Sequence, residues 1–211
     1  MMNVEWRRAA GPGSERPPLV VLFHGRGANE QSLLPLAESF PERFAVALPR
    51  GPLALDSGGY TWFENRGLGR PLGQSLRGSV DGMHAWLDEL DPAQFDLTRV
   101  IAGGFSAGML FGGAMLLDRP ERFTAGILLR GTLPWEINEI VPTAQRLAGK
   151  PLFHAHGDID EVIPLDLVAR SEKYLLAESG AVVEHHRYPI AHEISSDEQR
   201  DLLAWLETLP R

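Results

Sequence analysis

The chain has 211 residues, 44% hydrophobic and 23% charged, the mix of a soluble globular protein able to bury one sizeable core. Its 28 Asp and Glu outweigh 20 Lys and Arg, and the net charge of −8 argues against a basic face for nucleic acid or anionic lipid. There is no cysteine, which removes disulfides, thiolate zinc sites and cysteine nucleophiles together. Apolar runs stay far below the ~18 residues of a membrane span, and the first twenty residues hold no secretion-signal core.

Taken in chain order, residues 3–8 predict an antiparallel edge strand. Short apolar runs at 19–23, 44–48, 99–102, 125–129 and 151–155 predict strands, and 182–187 a sixth. The first five are apolar almost throughout, as strands covered on both faces of a parallel sheet are. Between them, residues 33–40, 79–90, 107–118, 165–179 and 196–206 carry apolar side chains at three- and four-residue spacing and predict helices. Pro120, Pro142 and Pro164 stand at helix edges. Strand–helix alternation of this kind predicts a doubly wound, mostly parallel α/β sheet with helices on both faces, in a single domain over 1–211.

Residues 51–76 break the alternation. They hold eight Gly or Pro, no helical period, and the aromatics Tyr60, Trp62 and Phe63, which predicts an ordered functional loop near the carboxyl edge of the sheet. In open α/β sheets ligands bind beyond the carboxyl ends of the strands, so the residues after each strand carry the chemistry.

After the strand 99–102 comes Gly103-Gly104-Phe105-Ser106-Ala107-Gly108, then a helix. Gly-x-Ser-x-Gly between strand and helix is a nucleophile-elbow pattern: the glycines clear room for a strained turn that lifts the serine hydroxyl off the sheet. The Ala107 N–H then points at a developing oxyanion, aided by the helix dipole. The bland alternative is a glycine-rich turn with no chemistry. A second oxyanion donor is expected after the first core strand, in Phe23-His24-Gly25-Arg26-Gly27, and the Arg26 N–H fits. The Arg26 side chain is either a surface cation or a cleft cation for a carboxylate or phosphate.

Serine needs a base. Of seven histidines, His84 is expected on a helix surface, and His185 and His186 within a strand. His154 and His156 alternate on one strand face, and His24 ends another strand. His192, on a loop beyond the last strand, is best placed to reach over an elbow serine. The acid that holds its tautomer belongs to the loop after 151–155, where Asp158, Asp160 and Glu161 are all candidates.

These motifs resemble the phospholipase/carboxylesterase family of α/β hydrolases, which includes bacterial carboxylesterases and acyl-protein thioesterases. The resemblance rests on residues 23–30, Trp62-Phe63, residues 103–108, His156-Gly157-x-x-Asp160-x-Val162-Ile163-Pro164 and His192-Glu193-Ile194. It implies Ser106 as nucleophile, Asp160 as acid and His192 as base, acting on a carboxylic ester, thioester or lysophospholipid. Three positions depart from the family pattern: Ala107 stands where Gln is usual, Arg130-Gly131 where Ser-Gly is common, and Ala191 where Gly is usual. An apolar pocket is expected from Trp62, Phe63, Met109, Leu110, Leu133, Trp135 and Ile163.

Two rival readings use other classes. His154, His156 and Asp158 approximate a binuclear-zinc hydrolase signature, but Ile159 stands where that signature needs histidine. A non-catalytic binding protein on the same fold is the other. The favoured reading is a cytoplasmic esterase for a small-molecule substrate, monomer or homodimer, with no cofactor and no metal.

Overall fold

The computed structural model describes residues 2–10, 15–135, 137, 138 and 140–210. Strands β1 (Val4–Arg7), β2 (Pro18–Phe23), β3 (Ala45–Pro49), β8 (Asp96–Phe105), β9 (Ala125–Leu129), β10 (Pro151–Gly157) and β11 (Val182–Tyr188) form one sheet, in the order β1-β3-β2-β8-β9-β10-β11. Every neighbouring pair is parallel except β1 with β3. The expected edge strand is therefore present, in antiparallel register with Glu5 opposite Leu48.

The apolar strands are apolar because both faces are covered. Leu19, Val21 and Phe23 of β2 pack in a core with α2 (Gly73–Asp88) and α3 (Ala107–Asp118), while Val20 and Leu22 pack with α1 (Leu34–Glu38) and α5 (Ser196–Thr208). Helix α3 is buried on nearly every side, which its continuous apolar sequence requires. Glu198 accepts no N-terminal capping role of its own; instead Ser195 Oγ caps α5 by accepting from the Glu198 N–H.

Several elements differ from the sequence expectation; β8, expected over 99–102, extends three residues further at each end. Helix α2 starts at Gly73, six residues before the expected 79, because Leu76 already joins Val80, Met83 and Leu87 on its buried face. Glycine and serine in the first turn hide that start from a periodicity argument. Between β3 and α2, residues 53–71 form two short antiparallel pairs, β4 (Leu53–Ala54) with β5 (Tyr60–Thr61) and β6 (Asn65–Gly67) with β7 (Arg70–Pro71). Helix α4 (Leu165–Lys173) ends in a π-helical turn over Tyr174–Glu178 rather than continuing as one α-helix to 179. His84, expected at the surface of α2, is 1% exposed, and Arg122 Nη1 donates to the His84 carbonyl.

Candidate active site

Ser106 lies between β8 and α3, and Arg26 follows β2. Asp160 follows β10, and His192 lies between β11 and α5. All four leave the same carboxyl edge because their strands are parallel. Ser106 adopts φ +59°, ψ −120°, a conformation non-glycine residues rarely hold, and its N–H is anchored on the Leu129 carbonyl at 2.9 Å. The turn is possible only because its glycines lack side chains. A Cβ on Gly104 would fall 2.4 Å from the Gly108 carbonyl carbon.

A line of hydrogen bonds joins three side chains. Ser106 Oγ is 2.8 Å from His192 Nε2, and His192 Nδ1 is 2.7 Å from Asp160 Oδ2. An ionised carboxylate only accepts, so Nδ1 carries the proton and Nε2 is free to accept from the serine hydroxyl. The Phe105 ring lies 4.9 Å from the His192 ring, centroid to centroid. Burial pushes the Asp160 carboxyl up, but the His192 ring and the N–H groups of Val162 and Ile163 outweigh it and hold its pKa below the usual value. Asp160 is 4% exposed, whereas Asp158 is an open side chain paired with Arg187 at 3.3 Å and Glu161 is exposed. Of the three candidate carboxylates, only Asp160 is brought to His192.

The N–H groups of Arg26 and Ala107 donate no hydrogen bond among the described residues. The Arg26 loop is braced by a residue whose role the sequence did not reveal. His24 is 2% exposed; its Nδ1 donates to the Gly25 carbonyl at 2.7 Å and its Nε2 accepts from the Gly51 N–H at 3.0 Å. Burial lowers its pKa first of all, so the ring stays neutral and keeps both bonds. The irregular segment adds to the brace: Gly27 N–H donates to the Tyr60 carbonyl, and Tyr60 N–H to the Ala28 carbonyl. Gly59, at φ +72°, sits so close to Gly27 that a Cβ would be 1.9 Å from its carbonyl oxygen.

Among the described residues, two cavities open on Ser106. A tight one, about 40 Å³, lies toward Ala107, Leu110, Phe63, Asn65 and Ile163. A wider cleft, about 400 Å³, lies toward Gly25, Leu33, Phe105, His192 and Ile194. Arg26 is exposed, lines both, and makes no hydrogen bond or ion pair among the described residues. Phe63, Leu110 and Ile163 line the tight cavity, together with Asn65, which had not been singled out.

Four expected pocket residues line neither cavity. Trp62 is 0% exposed, stacked on Phe111, and donates from Nε1 to the His24 carbonyl at 2.8 Å. Met109 and Leu133 are equally buried, Met109 against Gly131. Trp135 packs under Arg170 and donates to Ser171 Oγ. Their positions one turn or one strand behind the site turn them into the core. The histidines of the metal reading also separate. His156 lies 3.8 Å from Asp160, Asp158 faces solvent, and His154 turns to His185.

Arg130, the departure noted after β9, is 0% exposed at φ +51° and ion-paired with the equally buried Glu198 of α5. A Cβ on Gly157 would meet Arg130 Nη1 and the Ile190 carbonyl at 2.3 Å each, so the pair sits directly beneath the loop carrying His192.

Comparisons with known proteins agree with this architecture. An acyl-protein thioesterase 1 of Yarrowia lipolytica is 26% identical over 211 aligned residues, 89% of this chain and 90% of that one. One of Mycosarcoma maydis is 32% identical over 125 residues, 56% of this chain and about half, 51%, of its own length. The crystal structure of a Bacillus cereus carboxylesterase superposes with a TM-score of 0.84 at 24% identity, covering 98% of this chain and 94% of that one. The Phospholipase/Carboxylesterase family model matches residues 8–209, so the chain belongs to that family of α/β-hydrolase-fold esterases and thioesterases.

Proposed function

We propose that the protein is a serine carboxylesterase that cleaves small carboxylic esters through an acyl-enzyme. The observation that carries the reading is the unbroken line Ser106–His192–Asp160, at 2.8 and 2.7 Å, beside two backbone N–H groups that have no partner among the described residues. Ser106 Oγ attacks the ester carbonyl carbon while its proton passes to His192 Nε2. Asp160 holds the ring in the productive tautomer and stabilises the imidazolium. The Arg26 and Ala107 N–H groups take the negative charge that develops on the carbonyl oxygen.

Collapse of the tetrahedral intermediate breaks the bond to the alcohol oxygen, which leaves with the proton from Nε2. Water then attacks the acyl-serine, giving its proton to Nε2, and the carboxylic acid is released as Ser106 recovers a proton. A thioester fits the same steps with sulfur as the leaving atom. The tight apolar cavity suits a short acyl group, and the wider cleft accommodates the leaving group. Arg26, which has no hydrogen-bond or ion-pair partner among the described residues and lines both cavities, favours a substrate with a carboxylate or phosphate.

The test is labelling by a fluorophosphonate probe with hydrolysis of p-nitrophenyl esters. The wild type is expected to be labelled at Ser106. Ser106→Ala is expected to remain folded, escape labelling and lose about 10⁵-fold or more in turnover. A folded Ser106→Ala that keeps a tenth of the activity would overturn the mechanism.

A further inference from the structure

On the other side of β10 from the α5 packing lies a second histidine cluster. His154 of β10 and His185 of β11 stand directly opposite each other in the parallel ladder, and their Nδ1 atoms are 2.9 Å apart. Helix α4 adds Glu172, whose Oε1 is 3.7 Å from His185 Nε2. One donor atom from each of the three residues lies within 4.8 Å of the others. Glu172 Oε2 accepts from Arg187 Nη2 at 2.7 Å, but Oε1 is buried with no hydrogen-bond partner among the described residues. A buried carboxylate oxygen left unbonded is uncommon enough to require an explanation, and this one sits beside two imidazoles.

We propose that His154, His185 and Glu172 bind a divalent transition-metal ion of the zinc, copper or nickel type. Two imidazole nitrogens and a carboxylate oxygen form a three-ligand set with one position left for water. Tetrahedral zinc with bonds near 2.0–2.1 Å places its donors roughly 3.3 Å apart. With one donor atom taken from each residue, the three already lie within 4.8 Å of one another, so closing to that spacing takes side-chain movements of about 1.5 Å or less. Magnesium and calcium are disfavoured because they demand mostly oxygen ligands. Arg187, bonded to the other carboxylate oxygen, fixes the direction of Oε1 as an outer-shell partner does.

The ion has a way in. β11 is the last strand of the sheet, and the side chains of His185 and Glu172 are 23% and 15% exposed. None of the three residues lines either of the two described cavities at Ser106, so the ion ties β10, β11 and α4 together and takes no part in ester cleavage.

The test is calorimetric titration of the metal-stripped, tag-free full chain with Zn²⁺, alongside its melting temperature. One Zn²⁺ per chain is expected, with Kd of about 1 µM or tighter, and a rise in melting temperature with zinc concentration. His185→Ala and the isosteric Glu172→Gln are each expected to weaken binding about 100-fold, to leave ester hydrolysis unchanged and to abolish the zinc-dependent melting shift. His186→Ala, on the opposite face of the strand, is expected to bind as the wild type does. Absence of Zn²⁺ binding by the wild type below about 100 µM overturns the site, as does Glu172→Gln binding with undiminished affinity. Equal binding of Mg²⁺ overturns its assignment to a transition metal.

Discussion

Gly108 of α3 lies so close to the end of β2 that a Cβ on it would fall 1.8 Å from the Phe23 carbonyl oxygen and 2.8 Å from that of His24. The turn bearing Ser106 and the loop bearing Arg26 are thereby pressed together backbone to backbone. Neither backbone can yield as a flexible side chain would.

Gly108→Ala is therefore expected to force α3 away from the sheet, separating the Arg26 and Ala107 N–H groups from the position of the oxyanion. A loss of about 10²-fold or more in turnover is expected, because a shift of about 1 Å suffices for that much. Gly78→Ala, at a position with open space around a Cβ, is the control and is expected to leave activity unchanged. Steady-state kinetics on both variants checks the contrast; wild-type turnover in Gly108→Ala would refute the close-packing argument.

The two neighbouring aspartates are expected to behave oppositely. Asp160→Asn is expected to lower turnover roughly 10³–10⁴-fold, since an amide can donate to Nδ1 and stabilise the wrong tautomer. Asp158→Asn, half exposed and paired only with Arg187, is expected to cost less than about 10-fold. If Asp158→Asn is the crippled variant, the acid lies elsewhere.

Substrate choice and stability are expected to separate between Ile163 and Trp62. Ile163 lines the tight cavity, so Ile163→Ala is expected to raise the relative rate on octanoyl over acetyl esters by about 10-fold, the scale of one or two methylenes in a pocket. Trp62→Ala is expected to cost about 3–5 kcal/mol of stability and to lower rates on all chain lengths alike. Rate profiles across p-nitrophenyl esters, read beside urea unfolding, decide this. A chain-length change confined to Trp62→Ala would return that residue to the pocket.

His84 sets a pH dependence of stability. Burial first, then Arg119 with Arg122 and Arg77, against the pull of Asp118, push its pKa down to about 4. Arg122 Nη1 donates to its Nδ1 at 3.2 Å, which only the ring unprotonated there can accept. Below about 6.5 the unfolded imidazole takes up a proton that the folded one refuses until about 4. Its contribution is therefore present above 6.5 and lost as pH falls towards 4, by up to about 1.4 kcal/mol per unit. His84→Gln is expected to flatten the stability curve between pH 6.5 and 4 by up to one proton, measured by urea unfolding across that range. An unchanged slope would show that His84 does not carry it.

Local sequence pattern accounts for much of the frame. Unbroken apolar runs alternating with helical periodicity suffice for a parallel sheet covered on both faces, because each element declares its burial locally. The helix at Ala107–Asp118 and the strand at Ala125–Leu129 match their expected limits for that reason. The Gly-x-Ser-x-Gly turn was equally legible, since its glycines are required by contacts only a few residues away, Gly104 against Gly108 among them.

The remaining features depend on neighbours brought together from distant parts of the chain. Three carboxylates crowd one loop with no period to orient them; spacing leaves them equivalent, the family resemblance points to Asp160, and tertiary placement brings that one to 2.7 Å from His192. An aromatic in an irregular segment reads the same whether it lines a pocket, as Phe63 does, or supports the loop from behind, as Trp62 does. His154 looked like a partner of His156 because they alternate on one strand. Parallel pairing instead sets it against His185, thirty-one residues away, and α4 lays Glu172 beside them. Strand register and helix docking create such neighbours from residues far apart in the chain, which local sequence patterns do not encode.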